Sequence, residues 1–224
     1  MYRRCRYDVL IVLLAVAGCP GSHTSRTSPD DPFSRITVSP LPIASTSGSS
    51  VLLLALGGLV LGDTVALPEL EGQRAQLTAA AYVQLDSALR RDAREVVWQG
   101  LEEQRRTVHR NPTLGLDPDR FATAYLIEPS MSQIPDPLFA QIRTMAAITG
   151  ARYAIIPAGA RLTRATGGYR GEYVLAAADA RTGTVLWRGR AIGRPAATPE
   201  AALSSAASTV IASPLQTQPA QPRP

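Results

Sequence analysis

The run VLLLALGGLVLG, residues 51–62, carries no polar side chain and has to be buried in something. It is too short to span a bilayer as a helix, which takes about 20 residues. It also lacks the alternation of a lipid-facing barrel strand. The run therefore reads as a buried helix broken at Gly57-Gly58. In the alternative reading, Val51, Leu52, Leu53, Leu54 and Leu56 are candidate membrane or oligomer contacts.

A second apolar run lies at the start of the chain. In MYRRCRYDVLIVLLAVAGCPG, Arg3, Arg4 and Arg6 precede an apolar stretch that ends at Gly18-Cys19. This is the layout of a secretory signal peptide, and it too falls short of a spanning helix. Val16-Ala17-Gly18-Cys19 resembles the bacterial lipobox, in which small residues admit a peptidase to the bond before a cysteine that then carries the lipid. Cleavage there removes Cys5, so Cys19 becomes the only cysteine and is acylated. The fold is then held by its core without a disulfide. Pro20, in place of the Asp associated with inner-membrane retention, points to the outer membrane, with the domain facing the periplasm.

Composition excludes several function classes. Loss of residues 1–18 leaves a net charge of +3, too low to mark a nucleic-acid binder. All 23 basic residues are arginine, so neither a lysine-bearing phosphate loop nor a Schiff-base lysine is available. Of the two histidines, His23 lies just after the anchor, leaving His109 beside Arg105, Arg106 and Arg110. A histidine-rich metal site is excluded, and a Ser-His-Asp triad would rest on His109 alone, without an acidic orienter near it in sequence. The carboxylate pairs Glu102-Glu103 and Asp117/Asp119 read as helix caps and solvated faces. No catalytic residue, metal site or cofactor is expected.

Polar, turn-rich residues up to position 33 read as a tether, and the Pro/Gln-rich residues 212–224 as a disordered tail. Between them, residues 34–211 form one domain. Arg35-Ile36-Thr37-Val38-Ser39 alternates like a strand. Leu77, Ala81, Leu85 and Leu89 mark an amphipathic helix between residues 68 and 91, and residues 95–98 a short strand. Helices are predicted over residues 100–109, over 118–127 with Asp117 as N-cap, and from an Asp136 cap to a Gly150 stop. Residues 151–158 read as a strand with an edge or bulge at Pro157. DARTGTVLWRG suggests one β-hairpin turning on Asp179 and Gly183, with Val185 and Trp187 on one face of its second strand. A propeller is excluded because the signature occurs once. A last helix starts at Thr198-Pro199-Glu200.

This order of elements, with RITVSPLPI, QLDSALRRDAREVVW, and ITGARYAIIPAGARL leading into YVLAAADARTGTVLW, resembles a domain shared by several bacterial envelope proteins. They are the curli-secretion lipoprotein CsgG, the penicillin-binding-protein activator LpoB and the amino-terminal domain of TolB. The resemblance implies an α/β domain, a mixed sheet packed with helices, without a catalytic residue. It implies a non-enzymatic lipid-anchored adaptor or assembly protein with an envelope protein partner. Arg105, Arg106 and Arg110 are then the candidate partner contact. A secretion-channel oligomer resembling the curli pore is the alternative, and residues 51–62 are its one candidate membrane segment.

Overall fold

The computed structural model describes residues 31–63 and 65–211. The apolar run is buried, but as strands. Ser50–Leu53 forms β1 and Leu59–Leu61 forms β2, both parallel to the long strand β4, Tyr153–Ala165. Between them the backbone stays bonded to β4: Leu54 N–H donates to Ile155 C=O at 3.0 Å, and Gly57 N–H to Pro157 C=O at 2.9 Å. Residues 51–62 thus act as one interrupted strand beside β4. The break at Gly57-Gly58 faces the bulge between Pro157 and Gly159. A parallel strand covered on both faces reads as continuous apolar sequence, which periodicity cannot tell from a buried helix.

The sheet order is β3-β1-β4-β5-β6, with β2 also on β4. β3 is Val97–Gln99, parallel to β1. β5, Gly168–Asp179, and β6, Val185–Ile192, continue antiparallel from β4. Mixed pairing around one sheet matches the fold class expected from sequence. β4 is central, so Pro157 marks a bulge and not an edge.

Each face of the sheet carries a hydrophobic core. Over one lie α1, Arg74–Asp92, with Leu77, Ala81, Leu85 and Leu89 buried, and α4, Pro199–Ala207. Thr198 Oγ1 accepts from Ala201 N–H and caps α4. Over the other face lie α3, Leu138–Thr149, with Leu138, Ile142 and Met145 inward, and the turns containing Phe121 and Leu126. α2, Leu101–Arg110, closes the end of β1 and β3. There Gln104 is fully buried, and its Nε2 donates to Leu53 and Gln99 C=O, both at 2.8 Å.

Four further sequence expectations need correction. Residues 35–39 form no strand: only Val38 bridges, to Arg190, and Pro40 and Pro42 have no N–H to extend a ladder. The segment instead wraps around the edge of β6. Residues 118–127 form two 3-10 turns, Pro118–Arg120 and Thr123–Ile127, separated where Ala122 leaves helical geometry at φ −77°, ψ 60°. Asp117 Oδ1 still accepts from Asp119 N–H at 3.1 Å. Helix α3 begins at Leu138 with Pro137 in the cap position, and Asp136 makes no capping bond. Val185 and Trp187 do not share a face. A bulge shifts the register from Ala177↔Trp187 to Ala178↔Val185, so Val185 packs on the α3 side and Trp187 on the α1/α4 side.

Candidate functional site

The arginines of α2 are largely engaged by the domain's own acids. Arg105 Nε and Nη2 donate to the two Asp119 oxygens at 2.9 and 2.5 Å, and Nη1 pairs with Glu102. That guanidinium holds the Asp119 carboxyl below the ordinary carboxylate range, against a smaller opposing effect of burial. Arg106 lies 3.5 Å from Glu103 and also donates to Glu102 C=O. Arg110 and His109 are exposed at the end of the helix. Glu103 also meets Arg90, which is bound to Asp86, and Asp117 lies 3.4 Å from Arg120. The carboxylate pairs noted in the sequence are thus each matched by arginine. Arg105 and Arg106, two of the three residues of the candidate partner contact, thus sit in an ion-pair lattice joining α2 to the turn at Pro118, while Arg110 forms no ion pair among the described residues.

Val51, Leu52, Leu53 and Leu54 are fully buried and divided between the two cores. All four side chains are taken up by this chain's own sheet, and only Leu56 is half-buried at its margin. Contact with a membrane or a second copy through the first four would require opening the sheet. Cys19, the expected lipidation site, lies outside the described residues.

A charged cluster that sequence reasoning missed sits where the chain enters the fold. Arg161 on β4 and Glu172 on β5 are direct cross-strand partners, joined by Nη2 to Oε2 at 2.7 Å. Arg161 Nη1 donates to Asp31 Oδ2 at 2.6 Å, and its guanidinium stacks 4.5 Å from the Phe33 ring. Arg190 on β6 adds a contact to Glu172 at 3.9 Å. The Arg161, Asp31 and Glu172 side chains are 6%, 17% and 9% exposed. Burial disfavours the Arg161 charge, but the two carboxylates more than offset it and raise its pKa above the ordinary arginine value.

This cluster fixes a strap that belongs to both cores. Phe33 and Ile36 enter the core under α3. Arg190 N–H donates to Thr37 C=O, and Leu41 then enters the opposite core with its N–H on Val210 C=O at 2.7 Å. The sequence places Asp31 and Phe33 in the tether because DDPF is polar and turn-rich. The available signal was Arg161 itself, a charge inside the apolar strand AIIPAGARL, which needs a partner from elsewhere.

Arg188 performs a similar task on β6. Its guanidinium donates to Leu126, Pro129 and Met131 C=O at 3.1, 2.6 and 2.8 Å, pinning residues 126–131 to the sheet. Burial lowers its pKa. Beside it Pro129, Met131, Leu186 and Trp187 line a shallow hollow of about 270 Å³. No cluster of His, Cys, Asp and Glu suited to a metal occurs among the described residues.

No protein-family model matches the chain, and no curated protein matches it. Among solved structures it is similar to the C-terminal domain of LpoB from Escherichia coli, at 15% identity, 66% of this chain, 84% of that chain and a TM-score of 0.38. The C-terminal domain of LpoB from Salmonella enterica is 13% identical, over 66% of this chain and 83% of that chain, with a TM-score of 0.35. Lipoprotein GNA1162 from Neisseria meningitidis is 14% identical, over 65% of this chain and 80% of that chain, with a TM-score of 0.34. Overlap at these scores is loose, so function is read from the chain's own residues.

Proposed function

We propose that the chain is a lipid-anchored, non-enzymatic adaptor or assembly protein of the bacterial cell envelope. The observation that carries this reading is the leader ending at Cys19, followed after a short polar stretch by residues already locked into the fold. Asp31 and Phe33 are bound to Arg161 on the central strand, so a lipid on Cys19 would tether the domain through a fixed exit point. The pairing of Glu102, Glu103, Asp117 and Asp119 with arginines supports a structural use of these acids. An outer-membrane location with the domain in the periplasm, and an envelope protein as partner, complete the proposal.

Two experiments test it. Cells expressing the full chain are labelled with an alkyne analogue of palmitate, with Cys19→Ser as control. Label on the parent and none on the variant is expected, and an unlabelled parent overturns the lipid anchor. Photo-crosslinkers are then placed at exposed positions around the whole domain in intact cells. Site-specific adducts to another envelope protein are expected, and their absence at every position overturns the adaptor.

A further inference from the structure

The outer edge of β6 is closed at both ends and open between them. At one end Val185 N–H donates to Ser132 C=O at 2.9 Å, and at the other Arg190 N–H donates to Thr37 C=O at 3.0 Å. Among the described residues, no segment outside the sheet forms a backbone hydrogen bond with residues 186–189. Arg188 is two residues from Arg190, so its backbone N–H and C=O face outward in the same way. The opening coincides with the shallow hollow. Leu186, the extra residue at the bulge, lines it and is 57% exposed. Trp187 and Arg188 also line it, from opposite faces of β6: Trp187 packs on the α1/α4 side, and the Arg188 guanidinium reaches Leu126 C=O on the α3 side. At about 270 Å³ the hollow is smaller than the roughly 300–1,000 Å³ of sites that enclose a small molecule, so it suits side chains better than a cofactor.

Arg188 is the charged group in this opening. Its bonds to Leu126, Pro129 and Met131 C=O use three of the five guanidinium N–H groups and end on neutral oxygens. Glu128 acts on it electrostatically, but that carboxylate accepts from Ser130 Oγ at 3.1 Å and forms no ion pair with Arg188. Burial outweighs Glu128 and lowers the Arg188 pKa, whereas carboxylates raise those of Arg90, Arg105 and Arg161. A half-buried cation with free N–H groups and no paired anion favours a carboxylate brought from outside.

We infer that the open stretch of β6 is a docking edge for an extended segment of a partner protein in which apolar and acidic residues alternate. Laid along β6, such a segment bonds to the backbone of Arg188 and sets an apolar side chain against Leu186 and Trp187. Its next side chain, a carboxylate, meets the Arg188 guanidinium. Alternation is required because successive side chains of a strand point to opposite faces, as Trp187 and Arg188 do. The inference rests on the adaptor reading and adds the chemistry of the partner.

The test is an NMR titration of the isotope-labelled full chain with an acetylated hexapeptide of alternating Leu and Asp, and with the same peptide carrying Asn for Asp. Saturable shifts centred on the amides of Leu186, Trp187 and Arg188 are expected, with the Asn peptide bound roughly tenfold more weakly. Leu186→Glu should weaken binding of the Asp peptide roughly tenfold. Val83→Glu, equally exposed on α1 and with the same change in charge, should alter it less than about twofold. Equal weakening by the two variants would mean that net charge alone governs the peptide, and would overturn the docking edge. Equal binding of the two peptides would overturn the role of Arg188 and with it the acidic partner. Absence of saturable shifts, or shifts centred elsewhere, would overturn the docking edge while leaving the adaptor reading intact, because the crosslinking scan samples every other face.

Discussion

At the residue scale, three side-chain environments yield measurable expectations. Arg161 neutralises two carboxylates that are themselves mostly buried. Arg161→Met removes the cation that joins Asp31 to Glu172, leaving Glu172 only Arg190 at 3.9 Å, and should destabilise the domain by about 3–5 kcal/mol in chemical denaturation. A loss under about 1 kcal/mol would mean that water solvates the cluster. Gly57 sits where the interrupted strand presses against the Thr123–Ile127 turn. A Cβ there would lie 2.7 Å from Ala124 N and closer still to Ala158 O, both rigid backbone atoms. Gly57→Ala should therefore cost about 1–3 kcal/mol by overpacking. Gly72→Ala, which meets nothing within 4 Å, is its control. Asp179 gives a pH dependence with a defined sign. Burial opposes ionisation, yet the Thr182 and Arg181 amides prevail and hold its pKa below the ordinary value. A depressed folded-state pKa means that the ionised carboxylate stabilises the turn above the unfolded value, about 3.9, and that this is lost as pH falls through the folded value. The Thr182 amide shift should titrate below the ordinary aspartate range in the parent and stay flat in Asp179→Asn.

At the element scale, local signals succeeded where they were strong, and tertiary contacts overrode them elsewhere. The four-residue spacing of Leu77, Ala81, Leu85 and Leu89 located α1, and Gly150 ended α3 in left-handed geometry at φ 68°. Residues 179–183 turned as their Asp and Gly required. The apolar run was legible as buried but not as strand, since a parallel strand and a buried helix share that composition. A one-residue bulge moved Val185 to the other face, and pattern counting has no means of seeing an inserted residue. The candidate partner surface on α2 was legible as arginine-rich. The engagement of Arg105 by Asp119 was not, because the two lie on different elements, 14 residues apart. Helix α4 offers a test at this scale. It packs on β5 and α1 and starts at a side-chain cap. Thr198→Ala should lower stability by about 1 kcal/mol. Hydrogen exchange should speed up in the first turn of α4 before it does in the central strands.

At the scale of the whole molecule, the strap decides whether the domain behaves as one cooperative unit. The sheet separates two cores that share no side chain, and a domain built this way could lose one face while keeping the other. The strap opposes such a split: Phe33 and Ile36 belong to one core, and Leu41, a few residues on, belongs to the other. Crossing at Val38, it also covers part of the outer edge of β6, an edge open to pairing with other chains. Phe33 is 2% exposed and stacks under Arg161, so Phe33→Ala removes a buried ring and a cation–π contact together. The expected cost is about 3–5 kcal/mol. Its distribution is the sharper expectation. If the strap couples the faces, near-ultraviolet and far-ultraviolet circular dichroism should lose signal at one shared midpoint in parent and variant alike, with that midpoint lowered in the variant. Hydrogen-exchange protection should then fall at β5 amides and at α1 amides by similar free energies. Loss of protection confined to residues 33–41 and α3, with α1 and α4 unchanged, would show that the strap merely rests on one face. The two cores would then be energetically separate.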